Sequence, residues 1–296
     1  MSERKLNMKR VRDTMIWLSL MAGICALLFF SVLRKSNAEV KTLVVTFVEN
    51  DQNGVLISEK EVKQILNMAA GKPISKSNIK MLNLRKLEAK LQKDKRIERA
   101  DLYFDSKDRL NVRIVQKKPV MRVIEEAGGQ YYLDDKGKQV PVSIGSAVRV
   151  PIVTGVTDSF STKFLQADRP SSLKEVFLIL KYVSEDPFLS SLIEQAHVES
   201  DGTGDIVLIP KLGREKLIFG TSRDMEDKFD KLKIFYRDGI PKLGWSRYKT
   251  LNLKYTNQVA GTLANPELAN IIKSMPRDSL QAALAVTDIN KQSIQH

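Results

Sequence analysis

The run Arg109-Leu110-Asn111-Val112-Arg113-Ile114-Val115-Gln116-Lys117-Lys118-Pro119 decides the reading of this chain. Leu110, Val112 and Ile114 alternate with Asn111, Arg113 and Val115, the period-two pattern of a strand with one buried face. Lys117-Lys118-Pro119 then ends it, because proline withholds a backbone donor and restricts the residue before it. A domain closes here and another opens.

Reading backward, Asp105-Ser106-Lys107-Asp108 is a turn joining this strand to a second, Ile97 to Phe104. Before it the spacing of Ile79, Leu82, Leu87 and Leu91 predicts a helix from about Ser77 to Lys93. Gly71 and Pro73 separate that helix from an earlier one, which Ser58 opens with Glu61 three residues on, the signature of a capping box. Val40 to Val48 is rich in branched side chains and predicts a first strand. The order is β-α-α-β-β, a compact unit of about 75 residues that can fold alone. Its second helix has a basic face, Lys80, Arg85, Lys86, Lys90 and Lys93, which fits a solvated surface or a surface held near anionic headgroups.

Thr14 to Leu33, TMIWLSLMAGICALLFFSVL, contains no charge. About 20 helical residues at roughly 1.5 Å each match an apolar bilayer core of about 30 Å. Arg4, Lys5, Lys9, Arg10 and Arg12 precede the run, and Arg34, Lys35 and Lys41 follow it, a bias that places the N-terminus inside. A cleaved signal peptide is the alternative, with Ser36 and Ala38 at the small-residue positions. The run exceeds the usual 7 to 15 residues of such peptides, and two cations intervene. The expectation is a cytoplasmic tail at 1–13, a transmembrane helix at 14–33 and a folded body beyond the membrane.

Forward of Pro119 the chain is mainly β. Val120 to Ile124, Tyr131-Tyr132-Leu133, Val140-Pro141-Val142 and Val148 to Val153 predict short strands separated by turn residues. Ser172 and Glu175 predict a second capping box, opening a helix whose Leu173, Val176, Phe177, Leu180 and Val183 must dock on a sheet. Strands at Ile193 to Ser200, Asp205 to Ile209 and Lys216 to Phe219, a helix at Ser222 to Arg237 and a last strand at Thr250 to Ala260 complete the body. The last strand is a candidate edge, and an edge is a template for a partner strand. From residue 261 to 296 the sequence is polar and predicts a loosely ordered tail.

The chain has 296 residues and a formal charge of +13, with 43% hydrophobic and 28% charged residues, the composition of a folded body. The charge admits nucleic acid, anionic lipid or an acidic partner. No aromatic interleaving or nucleic-acid motif accompanies it, so no nucleic-acid partner is predicted. Cys25 is the one cysteine, and His197 and His296 are the two histidines. These exclude a disulfide framework, a Cys/His metal site and a Ser-His or Cys-His pair. No phosphate loop, G-x-S-x-G or H-E-x-x-H occurs. Glu125-Glu126, Asp134-Asp135 and Glu185-Asp186 lie in turn-like settings that suit a solvated surface better than acid–base work. The residues therefore predict binding rather than catalysis, with no cofactor, metal or small-molecule substrate.

The order of basic tail, anchor, β-α-α-β-β unit and mixed β domain resembles the FtsQ/DivIB family of bacterial cell-division proteins. The strings that carry the resemblance are Val112 to Pro119 with Met121-Arg122-Val123, Tyr131-Tyr132-Leu133-Asp134 with Gly137 and Pro141, Val150 to Gly155, and Leu251 to Tyr255. Together they cover about residues 1–260. The resemblance implies an α+β protein: a transmembrane helix, a POTRA domain at 34–117 with its preceding linker, and a β domain with docked helices at 118–260. It further implies a non-enzymatic scaffold of the inner membrane and division septum, its N-terminus in the cytoplasm and its body in the periplasm. FtsB- and FtsL-type partners would add a strand at the last strand of the β domain. Carried over by position, that edge is Lys254, Tyr255, Thr256, Asn257, Gln258 and Val259, with Arg223 the nearest match to a basic contact for acidic partner groups. Two other readings stand beside it: an anchored cell-envelope enzyme with an unrecognised site, and a translocation accessory that binds unfolded clients through residues 40–117.

Overall fold

The computed structural model describes residues 8–36, 38–48, 54–75, 77–143, 148–166, 171–244, 247–265 and 267. It divides into two compact units, residues 1–50 with 55–117, and residues 51–54 with 118–296.

The first unit begins with helix α1, Met8–Ser36. Its described apolar side chains, Met15, Trp17, Leu20, Ile24, Leu27 and Phe29 among them, are exposed. The expected membrane span reaches Leu33, but the side chains from Phe30 to Leu33 lie outside the described residues. Among the described residues no helix is long and apolar enough to cross a membrane.

Strand β1, Thr42–Val48, follows, then helices α2, Glu59–Ala70, and α3, Leu84–Gln92, then β2, Ile97–Phe104, and β3, Arg109–Gln116. The sheet order is β1-β3-β2, with β1 parallel and β2 antiparallel to the central β3. Leu110, Val112 and Ile114 of β3 are fully buried against Val62, Leu66, Leu87 and Leu91 of the helices, so the alternation read in the sequence is the packing face of the sheet. The capping box at Ser58 forms in full: its hydroxyl accepts from Glu61 N–H and the Glu61 carboxylate accepts from Ser58 N–H. The helix expected at 77–93 is instead a 3₁₀ turn, Ile79–Met81, followed by α3. Asn78 and Asn83 each accept a backbone N–H with their side chains and so start two elements where apolar spacing suggested one.

The second unit is a nine-stranded mixed sheet with helices packed on it. Its strands are β4 Pro119–Ile124, β5 Gln130–Asp134, β6 Gln139–Pro141, β7 Ile152–Thr154, β8 Ile193–Val198, β9 Ile206–Pro210, β10 Lys216–Gly220, β11 Tyr248–Asn252 and β12 Ala260–Leu263. Their order across the sheet is β12-β11-β10-β9-β8-β7-β4-β5-β6. Helices α4, Ser172–Glu185, and α5, Pro187–Leu192, connect the parallel neighbours β7 and β8. Helix α6, Met225–Ile234, a π-helical turn Phe235–Gly239 and the short α7, Ile240–Leu243, connect the parallel neighbours β10 and β11. Parallel strands need such crossovers. Helices α4 and α6 share one core: Tyr182 stacks on Phe229, and Phe229 packs on Phe219 of β10.

Two expectations are corrected in this unit. Helix α4 is capped by Ser171, which accepts from Lys174 N–H, while Glu175 accepts from Ser222 N–H far along the chain. The strand expected at Thr250 to Ala260 is two strands, β11 and β12, running antiparallel with Tyr248 opposite Leu263 and Asn252 opposite Ala260. The expected tail therefore begins as sheet at Gly261 to Leu263; residues 268–296 lie outside the described set.

Candidate partner-binding edge

Among the described residues each sheet ends in strands with one unpaired side, and such edges are what a partner strand can extend. In the nine-stranded sheet the two edges differ. Strand β6 is three residues long and ends in Pro141, which has no N–H to offer. Strand β12, Ala-Gly-Thr-Leu, carries no charge and no proline, and Ala260, Gly261 and Thr262 are exposed. Natural sheets blunt edges with charge, proline or bulges. β6 is blunted by its proline; β12 is also short, and the register of its pair shifts between Tyr248 and Thr250 of β11, but it carries neither charge nor proline.

Gly261 explains how β12 stays seated. A Cβ there would lie 2.5 Å from the ring of Tyr248, so the bare backbone accommodates an aromatic ring across the pair. The same ring packs edge-on to Phe235 of the π-helical turn, 5.7 Å between centroids. Sheet edge and helical crossover are thus joined through one side chain.

The residues expected to form the edge, Lys254 to Val259, form the connection between β11 and β12 instead. Asn257 adopts a left-handed conformation, φ 56°, which asparagine tolerates better than most residues and which ends extended pairing. Tyr255 is 50% exposed, Lys254, Thr256, Asn257 and Gln258 are exposed, and Val259 is partly buried against the core. Lys231 of α6 donates from Nζ to Tyr255 O at 2.6 Å, which ties the connection to the helix. Lys254 Nζ pairs with Asp205 at 2.6 Å, and its stem lies against Gly220 at the end of β10.

Arg223, three residues beyond Gly220, is exposed on the turn that opens α6. That turn is firmly held. Buried Lys228 donates to Thr221 O at 2.9 Å and lies 4.9 Å from the centre of the Phe219 ring, while Ser222 N–H donates to Glu175. Burial lowers the Lys228 ammonium below its usual range, against the opposing pull of Asp224. Arg223 and the 254–259 connection therefore occupy the same end of the sheet, each tied to β10 or α6. The strand that follows, Ala260 to Leu263, is the part that sequence reasoning missed. Its signal was Asn257 within a run of polar residues, a turn former with no glycine or proline to mark it.

Nothing resembling an assembled catalytic group lies elsewhere in the described residues. A cleft of about 340 Å³ on the second unit is lined by Arg122, Arg149, Lys211, Glu194 and Ser190. It gathers cations around a single carboxylate, and the Ser190 hydroxyl donates to Pro187 O instead of to a base. His197 Nδ1 meets Thr154 Oγ1 at 2.8 Å on neighbouring strands, a structural pairing. Among the described residues no group of acidic, histidine or cysteine side chains could hold a metal ion.

A β-α-α-β-β domain followed by a mixed sheet with one edge free of charge and proline defines a two-domain protein of the POTRA-plus-β-domain class. Residues 41–115 match the family model of a POTRA-like domain, and residues 118–262 match the model described as FtsQ/DivIB, C-terminal related. Together the two matches support an FtsQ/DivIB family protein, and that family is one of non-enzymatic division proteins. Among curated proteins no relative matches it.

Proposed function

We propose that this chain is a single-pass scaffold of the bacterial division machinery, recruiting FtsB- and FtsL-type partners by strand addition at β12. The observation that carries the reading is the β12 edge itself: exposed, uncharged and free of proline, in a domain whose sequence matches the family. Strand addition takes its affinity from backbone hydrogen bonds and its specificity from alternate side chains and nearby charge. Tyr255 stands in the connection that leads into that edge and Arg223 on the turn after β10, an exposed aromatic and a cation for an acidic, partly apolar partner segment. In this account Lys254 to Val259 shape the entrance to the edge, and Ala260 to Leu263 make the pairing.

The anchor belongs to the same proposal. Helix α1 has 29 residues, about 43 Å of helix, and its apolar side chains from Met15 to Phe29 are exposed all round. Such a surface is stable in lipid and costly in water. With the basic residues ahead of it, the N-terminus lies in the cytoplasm, α1 in the inner membrane and both domains in the periplasm at the septum. Pull-down of an FtsB-type partner by the full chain, and midcell gathering of a fluorescent fusion, test the reading. A chain that binds no such partner, or a fusion spread evenly over the envelope, contradicts it.

A second reading has one observation in its favour. Strand β1, Thr-Leu-Val-Val-Thr-Phe-Val, is also an uncharged edge, and a POTRA domain that received clients there would be a translocation accessory. It predicts client contacts at Thr42 to Val48 and none at β12.

A further inference from the structure

From Val62 to Leu87 the sequence has no acidic residue and six cations, Lys63, Lys72, Lys76, Lys80, Arg85 and Lys86; Lys90 on α3 and Lys93 at its C-cap follow. Leu84, Leu87 and Leu91 turn inward to the POTRA core, so Arg85, Lys86, Lys90 and Lys93 share the outward face of α3. All four are exposed, as is Lys80 on the preceding 3₁₀ turn, and none of the five pairs with a carboxylate among the described residues. The one acid of α3, Glu88, faces away and accepts from Leu102 N–H of β2 at 2.8 Å. Like charges at four-residue spacing, such as Lys86 and Lys90, repel. A face kept merely for solubility interleaves both signs; this one does not.

An apolar side chain stands among these cations. Met81, between Lys80 and Leu82, is 78% exposed. Cations around a protruding apolar side chain suit a phospholipid surface, where the ammonium groups meet headgroup phosphates and the thioether enters the boundary below. The chain also fixes where this face can be. Ile79 N–H donates to Ala38 O at 3.0 Å, and Val40 N–H to Ser77 O at 2.9 Å. Ala38 is two residues beyond the end of α1. At no more than about 3.6 Å per residue, Ile79 stays within roughly 12 Å of the last residue of α1, little beyond the screening length of about 8 Å at physiological salt.

We propose that the POTRA domain docks on the membrane surface through Lys80, Met81, Arg85, Lys86, Lys90 and Lys93, taking anionic phospholipid headgroups as its ligand. The inference rests on α1 being the membrane anchor. The full chain with Cys25→Ser tests it in nanodiscs of phosphatidylcholine with or without phosphatidylglycerol, carrying a nitroxide at Met81→Cys or, separately, at Leu20→Cys. Accessibility to oxygen and to a water-soluble nickel chelate reports the depth of each label. The expected result is a Leu20 label within the bilayer in both lipids. The Met81 label should lose nickel accessibility only with phosphatidylglycerol, and regain it in raised salt and in a Lys80→Gln, Arg85→Gln, Lys86→Gln, Lys90→Gln variant that keeps its melting temperature. A Leu20 label in the bilayer with a Met81 label in water throughout overturns the docking and leaves the anchor standing. A Met81 label shielded equally in both lipids overturns recognition of anionic headgroups. A Leu20 label in water overturns the anchor and the docking together. Shielding of Met81 by an acidic peptide in either lipid, without any response to phosphatidylglycerol, assigns the face to protein and overturns the lipid.

Discussion

Arg96 sits where three charges of the POTRA domain meet. Its guanidinium binds Asp94 at 2.8 Å and Glu61 of the capping box, and it is almost fully buried. Burial opposes the charge on Asp94 and Glu61, yet hydrogen bonds from Arg96, and for Glu61 from Ser58 as well, hold both carboxylates below their usual range. Groups with depressed folded pKa values contribute stability above their unfolded values, about pH 4, and lose it as pH falls through the folded ones. Urea unfolding of the wild-type chain should therefore show the POTRA transition weakening below about pH 4. Arg96→Leu should lower it at neutral pH by about 1–3 kcal/mol and flatten that acid dependence. In the β domain, Glu215 is 2% exposed and accepts from Tyr236 O–H and Arg214 N–H. Burial, with the nearby Glu215 carboxylate, pushes the Tyr236 phenol well above its usual range. Tyr236→Phe removes one donor from a buried carboxylate and should cost about 1–3 kcal/mol, read from the urea midpoint of the β-domain transition.

Among the elements, the β11–β12 hairpin governs the proposed site. Lys231 holds its connection through Tyr255 O and Leu253 O. Lys231→Met should speed amide exchange from Lys254 to Gln258 while leaving the melting temperature within a few degrees, since the connection buries little. Prolines at Thr262 and Leu263, in separate variants, probe the edge itself. Successive N–H groups of a strand point to opposite sides. One of the two should destabilise the hairpin, and the other should weaken partner capture at unchanged melting temperature. The same elements show what the sequence made readable. The Ser58–Glu61 box and the alternation at 110–114 were legible because each rests on local chemistry or a strict period. The capping serine of α4 lies one residue before the spacing suggests, because Ser171 and Ser172 are adjacent and only Ser172 has a glutamate three residues on. Helix α5 went unread, although Asp186 before Pro187 is a start signal, because its six residues are too few to show a period. The division of 250–260 into two strands hung on the backbone of Asn257, while alternation alone carried the pattern straight through the turn.

For the whole molecule, the sequence established the order of parts more readily than the surface that acts. The β-α-α-β-β order and the α+β class were readable from periodicity, whereas the nine-strand order, with its two parallel crossovers, depends on contacts far apart in the chain and leaves no local mark. Only that order identifies β12 as an edge, and Lys254 to Val259, taken by position, lie in the connection that leads into it. The account's central claim is that partners pair with β12. Hydrogen exchange of the full chain, with and without an FtsB-type partner, tests it most directly. The prediction is partner-dependent protection concentrated at Ala260 to Leu263, with lesser changes at Tyr255 and around Arg223 and none at Thr42 to Val48. Protection confined to Thr42 to Val48, or bound partner with unchanged exchange at Ala260 to Leu263, would contradict it.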